Sequence, residues 1–148
     1  MISVRRASIK DAEIIMTFQL SMALETEALK LDENTVRKGV SAVFSDNSKG
    51  EYFVAEENGS VIASLLITYE WSDWRNTNVW WFQSVYVIPG FRRKGVFTMM
   101  YGYVKNEAES RGAGGLRLYV ECNNKVARGT YEALGMSSEH YTMYEWLK

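Results

Sequence analysis

Ser84-Val85-Tyr86-Val87-Ile88-Pro89-Gly90-Phe91-Arg92-Arg93-Lys94-Gly95-Val96-Phe97-Thr98-Met99-Met100-Tyr101-Gly102-Tyr103-Val104 is the stretch around which the chain is organised. It reads as a strand, a basic turn and a helix. The strand closes at Val87-Ile88 because Pro89, the only proline, has no N–H for a ladder bond. Phe97, Met100, Tyr101, Val104 and, further on, Ala108 recur at the spacing of one helical face. Between strand and helix stand Arg92, Arg93, Lys94 and Gly95. A helix start offers N–H groups that lack carbonyl partners, and the positive end of a dipole. Three cations and a glycine there suit a phosphate or pyrophosphate. They also suit a solvated basic turn, and spacing alone does not choose between the two.

Upstream, residues 79–87 alternate so that Trp81, Gln83 and Val85 share one face and Trp80, Phe82 and Ser84 the other. Tyr52 to Glu56 and Val61 to Trp71 are strands joined by Asn58-Gly59, the strongest hairpin signal in the chain, and the three strands predict an antiparallel meander. Ile2 to Arg6 predicts a first strand. Ser8 and Asp11 resemble a capping box, opening a helix with Ile9, Ala12, Ile15, Met16, Leu20 and Ala23 inward. Leu24 to Glu27 predicts a loop or a helix end, and Asp32 an N-cap for a second helix carrying Val36, Val40, Val43 and Phe44. Downstream, Arg111 to Gly115 stops the central helix and Leu116 to Val120 is a strand. Asn124 to Leu134 is a helix with Ala127, Thr130, Tyr131 and Leu134 on one face, and His140 to Leu147 predicts a last strand. The order β-α-α-β-β-β-α-β-α-β is an α/β chain with a mixed sheet covered on both faces. The single helix between residues 79–87 and 116–120 makes those strands parallel, and ligands of such sheets bind at the carboxyl ends of the strands.

The bulk numbers narrow the classes of function. A length of 148 residues with 47% apolar content predicts one folded domain over residues 1–148. A net charge of −1 argues against a nucleic-acid partner, which usually needs a basic face. One cysteine, Cys122, and one histidine, His140, leave no internal disulfide and little for a metal site or a Ser/His pair. No run has transmembrane length and no signal peptide is evident, so the expected partner is not a membrane and the expected compartment is the cytoplasm. Five tryptophans need a core, a pocket or an interface, which leaves a homodimer open.

Two motifs together resemble the GCN5-related N-acetyltransferases. That family places Gln or Arg, two residues, Gly, one residue and Gly or Ala between a strand and a helix. Arg92, Arg93, Lys94, Gly95, Val96 and Phe97 stand there, with Phe97 in place of the small residue. The second motif is Asn, Ala three residues on, Tyr four beyond and a closing Gly-Phe. Asn124, Ala127, Tyr131, Gly135 and Met136 correspond. The resemblance implies acetyl-coenzyme A as the donor and central parallel strands that splay. It places the pyrophosphate on the N–H groups from Arg92 to Phe97, and the pantetheine arm along Val85, Tyr86 and Val87 with Asn124 and Ala127 beside it. Phe97 puts a side chain where close backbone approach is wanted. The resemblance makes Tyr131 the acid for the departing thiolate, since a phenol with pKa about 10 stays protonated where a thiol of about 8.5 is leaving. Read without it, Tyr131 is a core aromatic at helical spacing.

The acceptor is expected to be a small-molecule amine, acetylated by direct transfer in a ternary complex. An ammonium with pKa about 10.4 must lose a proton before attack. Many relatives carry a glutamate on the strand that here reads Trp80-Trp81-Phe82-Gln83-Ser84. Glu25, Glu27, Glu70, Asp73 and Glu121 are the candidate bases. Glu25 and Glu27 could also hold a cationic amine or be solvated charges. Trp71, Trp74, Trp80, Trp81 and Gln83 are expected beside the acceptor pocket, where a tryptophan could face an ammonium. Cys122 is expected to be a small buried residue and His140 structural. The alternative from another class is a non-catalytic acyl-coenzyme A sensor.

Overall fold

Alternation between residues 51 and 87 builds three long antiparallel strands in the computed structural model, which describes residues 1–148. They are β2 (Glu51–Glu57), β3 (Ser60–Ser72) and β4 (Thr77–Val87). Asn58 and Gly59 close the β2–β3 turn with φ of 52° and 79°, the double positive φ that a tight primed turn demands. β1 (Ile2–Arg6) adds antiparallel to β2, and β5 (Gly115–Arg117) adds parallel to β4, giving the order β1-β2-β3-β4-β5. The mixed sheet and the expected strand pairings are thus present, with five strands in it. The chain divides into two compact units, Met1–Leu118 and Tyr119–Lys148.

In the first unit, α1 (Ala12–Glu27) follows a short 3-10 turn, and α2 (Glu33–Ser45) begins at Asp32, whose carboxylate accepts the Thr35 N–H at 2.8 Å. Ile15 and Met16 of α1 and Val40 and Val43 of α2 pack with Tyr52 and Val54. The alternate β2 residue Phe53 turns to the other face and meets Tyr103 of α3 (Val96–Ser110). Met100, Tyr101, Val104 and Ala108 are all buried, the helical face that the spacing predicts. Residues Leu24 to Glu27 are the last turn of α1, closed by Ala28 at φ 51°.

Charge clamps the open end of the α1 face. Asp11 is 6% exposed, accepts the Ser8 N–H at 2.7 Å and holds the Arg5 guanidinium through both oxygens, at 2.8 and 3.0 Å. Arg5 also reaches Glu56. The Arg5 fork holds the Asp11 carboxyl below its ordinary range, with the Ser8 hydrogen bonds adding to it against the cost of burial.

In the second unit, α4 (Lys125–Ala133) starts at Asn124, whose side chain accepts the Ala127 N–H at 3.1 Å. The expected last strand is absent: residues 140–147 are exposed and join no ladder. Alternation marks a segment as able to pair, but a strand exists only where a neighbour takes its N–H and C=O groups. The strand expected over Leu116 to Val120 likewise shortens to Gly115–Arg117. Cys122 is exposed, not buried, because it lies in irregular chain ahead of α4. No helix is long and apolar enough to cross a membrane.

Leu65 is fully buried on β3, and Leu65→Ala should cost about 3 kcal/mol in a urea titration. Asp11→Asn should cost about 2 kcal/mol at neutral pH by losing charged hydrogen bonds. Because the folded Asp11 pKa is depressed, its contribution is complete above the unfolded value of about 4 and fades as pH falls through the folded one. The gap between wild type and Asp11→Asn should therefore be flat at neutral pH and close on acidification.

Candidate functional site

The β4–β5 ladder is short. It pairs Val79 with Gly115, Trp80 with Leu116 and Trp81 with Arg117, and β4 then runs on to Val87. β5 ends at Arg117, so beyond Trp81 β4 has no ladder partner on that side.

A bulge sits in that stretch. Leu66 pairs with Gln83 and Ser64 with Tyr86, so Ser84 and Val85 both face the single residue Leu65. Ser84 takes φ of 51°, a left-handed conformation uncommon for serine. Two residues against one turn the strand over locally and re-aim its backbone. Phe82 therefore packs on Phe97 and Tyr101 of α3, whereas Tyr86 packs on Phe18 of α1, with ring centroids 5.1 Å apart. Strict alternation puts Val85 on the face of Trp81 and Gln83; the bulge gives that place to Tyr86. Nothing in the sequence marks Ser84 as the turning point.

Beyond Val87 the chain makes a 3-10 turn at Pro89–Phe91 and then the basic turn. Arg93 and Gly95 have φ of 59° and 77°. Left-handed residues interleaved with ordinary ones point successive N–H groups into one concavity, which suits an anion. Gly95 is the N-cap of α3, and the first helical bond runs from the Met99 N–H to the Gly95 carbonyl. The amides of Val96 and Thr98 thus belong to the open first turn. Phe97 has its ring against Phe82 and Tyr101, at 6.0 and 6.2 Å between centroids, so packing on the sheet accounts for the side chain. Lys94 lies over the Phe91 ring at 5.1 Å.

The Arg92 guanidinium is engaged within the protein. Its Nε donates to the Val87 carbonyl at 2.8 Å, and its Nη2 meets Glu25 Oε2 at 2.6 Å. Glu25 Oε1 accepts the Tyr86 hydroxyl at 2.9 Å, and the guanidinium lies 5.4 Å from the Tyr86 ring centre. Arg92 and then Tyr86 hold the Glu25 carboxyl below its ordinary range, and burial, with Glu25 next, pushes the Tyr86 phenol up. The end of α1, the end of β4 and the first residue of the basic turn form one hydrogen-bonded group. Sequence reading selects Glu25, Tyr86 and Arg92 separately, but no local spacing reveals that they meet.

Other expected site residues lie elsewhere. Trp71 pairs with Asn78 and Asp73 follows at the β3–β4 tip, so about 23 Å of strand separates Trp71 from the rung of Tyr86. Trp81 and Gln83 stay on the α1 side of β4, Gln83 donating to Thr68 Oγ1 at 3.3 Å. Glu70 is ion-paired with Arg117, and Glu121 accepts the Asn123 N–H. Glu27 is exposed at the end of α1. A cleft of about 290 Å³ lies at the other end of β4, lined by Glu51, Tyr69, Trp80 and Arg111 among others. There Arg111 forks Glu51 and covers Trp80 at 4.6 Å, so its walls are bonded to one another. In the second unit, burial raises the Tyr131 phenol above its ordinary pKa.

Comparison with known proteins agrees with this geometry. A crystal structure of a possible acetyltransferase from Clostridium difficile 630 is 43% identical, covers 100% of this chain and 98% of its own, and superposes with a TM-score of 0.90. A predicted acetyltransferase from Clostridium acetobutylicum, solved with acetyl-CoA, shares the fold at 20% identity and a TM-score of 0.76, over 98% of this chain and 96% of its own. An uncharacterized N-acetyltransferase of Bacillus subtilis strain 168, YhfO, is 28% identical over 66% of this chain and 68% of its own length. Residues 17–136 match the acetyltransferase (GNAT) family. That match takes in the meander, the basic turn and α4, and the chain belongs to this family of acetyl-coenzyme A-dependent N-acetyltransferases.

Proposed function

We propose that the chain acetylates a primary amine of a small-molecule acceptor by direct attack on acetyl-coenzyme A in a ternary complex. The observation that carries this reading is the continuity of three features on one strand. The β4 ladder to β5 ends at Trp81, the bulge at Ser84 re-aims the backbone, and the concave turn from Arg92 to Gly95 follows directly. In this reading the amides from Arg93 to Phe97 bind the pyrophosphate, with Arg93 and Lys94 adding charge. The backbone of Val85, Tyr86 and Val87 pairs with the pantetheine amides. An N–H of Val85 or Tyr86 meets the negative charge developing on the acyl oxygen, where a fixed donor is worth most.

Tyr131 is the proposed acid, giving its phenolic proton to the departing sulfur. Its raised pKa keeps that proton in place at neutral pH. Asn124 and Ala127, at the start of the same helix, are proposed contacts for the arm. Gln83 and Trp81 border the acceptor, and Glu27 is the carboxylate proposed to receive its positive charge.

Tyr131→Phe should lower kcat roughly 100-fold, the scale of a lost general acid, with KM for acetyl-coenzyme A little changed. A kcat within a few-fold of wild type would remove the acid role. Coenzyme A at 100 times its Kd should stabilise the protein by about 2.7 kcal/mol in a thermal melt, and ATP at the same concentration should not. With a panel of primary amines, thiol release from acetyl-coenzyme A should appear for at least one. Binding of coenzyme A with no release for any amine would favour the sensor reading.

A further inference from the structure

Glu25 lies outside the basic turn, yet it holds two groups on either side of the end of β4, Tyr86 and Arg92. Its Oε2 takes Arg92 Nη2 at 2.6 Å and its Oε1 takes the Tyr86 hydroxyl at 2.9 Å. Arg92 is fixed a second time by the Val87 carbonyl at 2.8 Å. Tyr86 is fixed a second time by its ring contact with Phe18, two turns before Glu25 on the same face of α1. Arg92 is the first residue of the basic turn, and Arg93 beside it carries a left-handed φ of 59°. A left-handed non-glycine residue costs of order 1–3 kcal/mol and persists only where its surroundings over-determine it. The double anchoring of Arg92 is the over-determination available at that place.

We propose that Glu25 is a positioning residue for coenzyme A: through Arg92 it holds the turn after β4 in the conformation that presents its amides to the pyrophosphate. This rests on reading that turn as the pyrophosphate seat. The carboxylate does not touch the cofactor, and its charge, taken alone, opposes an anion nearby. Its net effect is favourable because it fixes at a second nitrogen a guanidinium that the Val87 carbonyl alone would hold at one. A planar fork held at both Nε and Nη2 has little freedom left to lose when the ligand arrives. A lysine at position 92 would bring one nitrogen on a flexible stem and not a rigid two-nitrogen fork.

Titration calorimetry with two probes tests this, coenzyme A and S-acetylpantetheine, which lacks the pyrophosphate. Glu25→Ala and Arg92→Ala should each weaken coenzyme A about tenfold, and the double variant should be no weaker than either single one, because both remove the same link. Glu25→Gln, which keeps an acceptor for Tyr86 and loses the charge facing Arg92, should show the same loss with an unchanged melting temperature. S-acetylpantetheine affinity should be the same in all four variants as in wild type. Unchanged coenzyme A affinity in Glu25→Gln, tighter binding in that variant, or single effects that multiply in the double variant would each overturn the proposal. Wild type that binds neither probe would overturn the pyrophosphate reading itself, a separate result.

Discussion

Where the parallel ladder between β4 and β5 ends determines what the first unit can do. Three residue pairs hold the strands together, and β4 then continues without that neighbour to Val87. β4 keeps its β3 neighbour along this stretch and has no ladder partner on its other side. A strand N–H or C=O group without a ladder partner needs another one. The bulge at Ser84 falls within this stretch, and the concave turn at Arg93 and Gly95 comes at its end. Strand, bulge and turn thus follow one another without a break in the chain.

Arginine–carboxylate pairs join the elements of the first unit. Arg5 ties β1 to Asp11 and Glu56, Arg111 ties the end of α3 to Glu51, and Arg92 ties the basic turn to Glu25. Several are bidentate, which fixes orientation as well as distance. Most involve side chains open to solvent, so their value lies in geometry more than in stability. Glu70 is engaged in the same way by Arg117. Of the candidate bases read from the sequence, Glu25 and Glu70 are thus each engaged by an arginine.

Most of the architecture is legible in the sequence because it rests on local chemistry. Asn58-Gly59 can turn where other pairs cannot, Asp32 can cap, Pro89 must stop a strand, and Met100, Tyr101 and Val104 can share only a helical face. The basic turn and the Asn124–Tyr131 helix are legible as motifs for the same reason. What could not be read depends on partners far along the chain. The left-handed Ser84 is produced by the register against Leu65. The distance of Trp71 and Asp73 from Tyr86 follows from pairing with Asn78 and from the hairpin length. The strand expected over residues 140–147 has the right alternation, but alternation describes a capacity to pair and supplies no neighbour.

The unequal exposure of the tryptophans has an optical consequence. Trp74 is 90% exposed at the hairpin tip and Trp71 62%, while Trp80 is 3% exposed beneath Arg111. Trp146 is also exposed, at 87%. Native emission is therefore a sum of red-shifted indoles in water and a blue-shifted one in the core. Iodide should quench the former and leave the latter. Trp81, at the last rung of the β4–β5 ladder, is the indole on the strand that leads into the candidate site. A chain reduced to that single indole would carry a fluorescent reporter where the β4–β5 ladder ends.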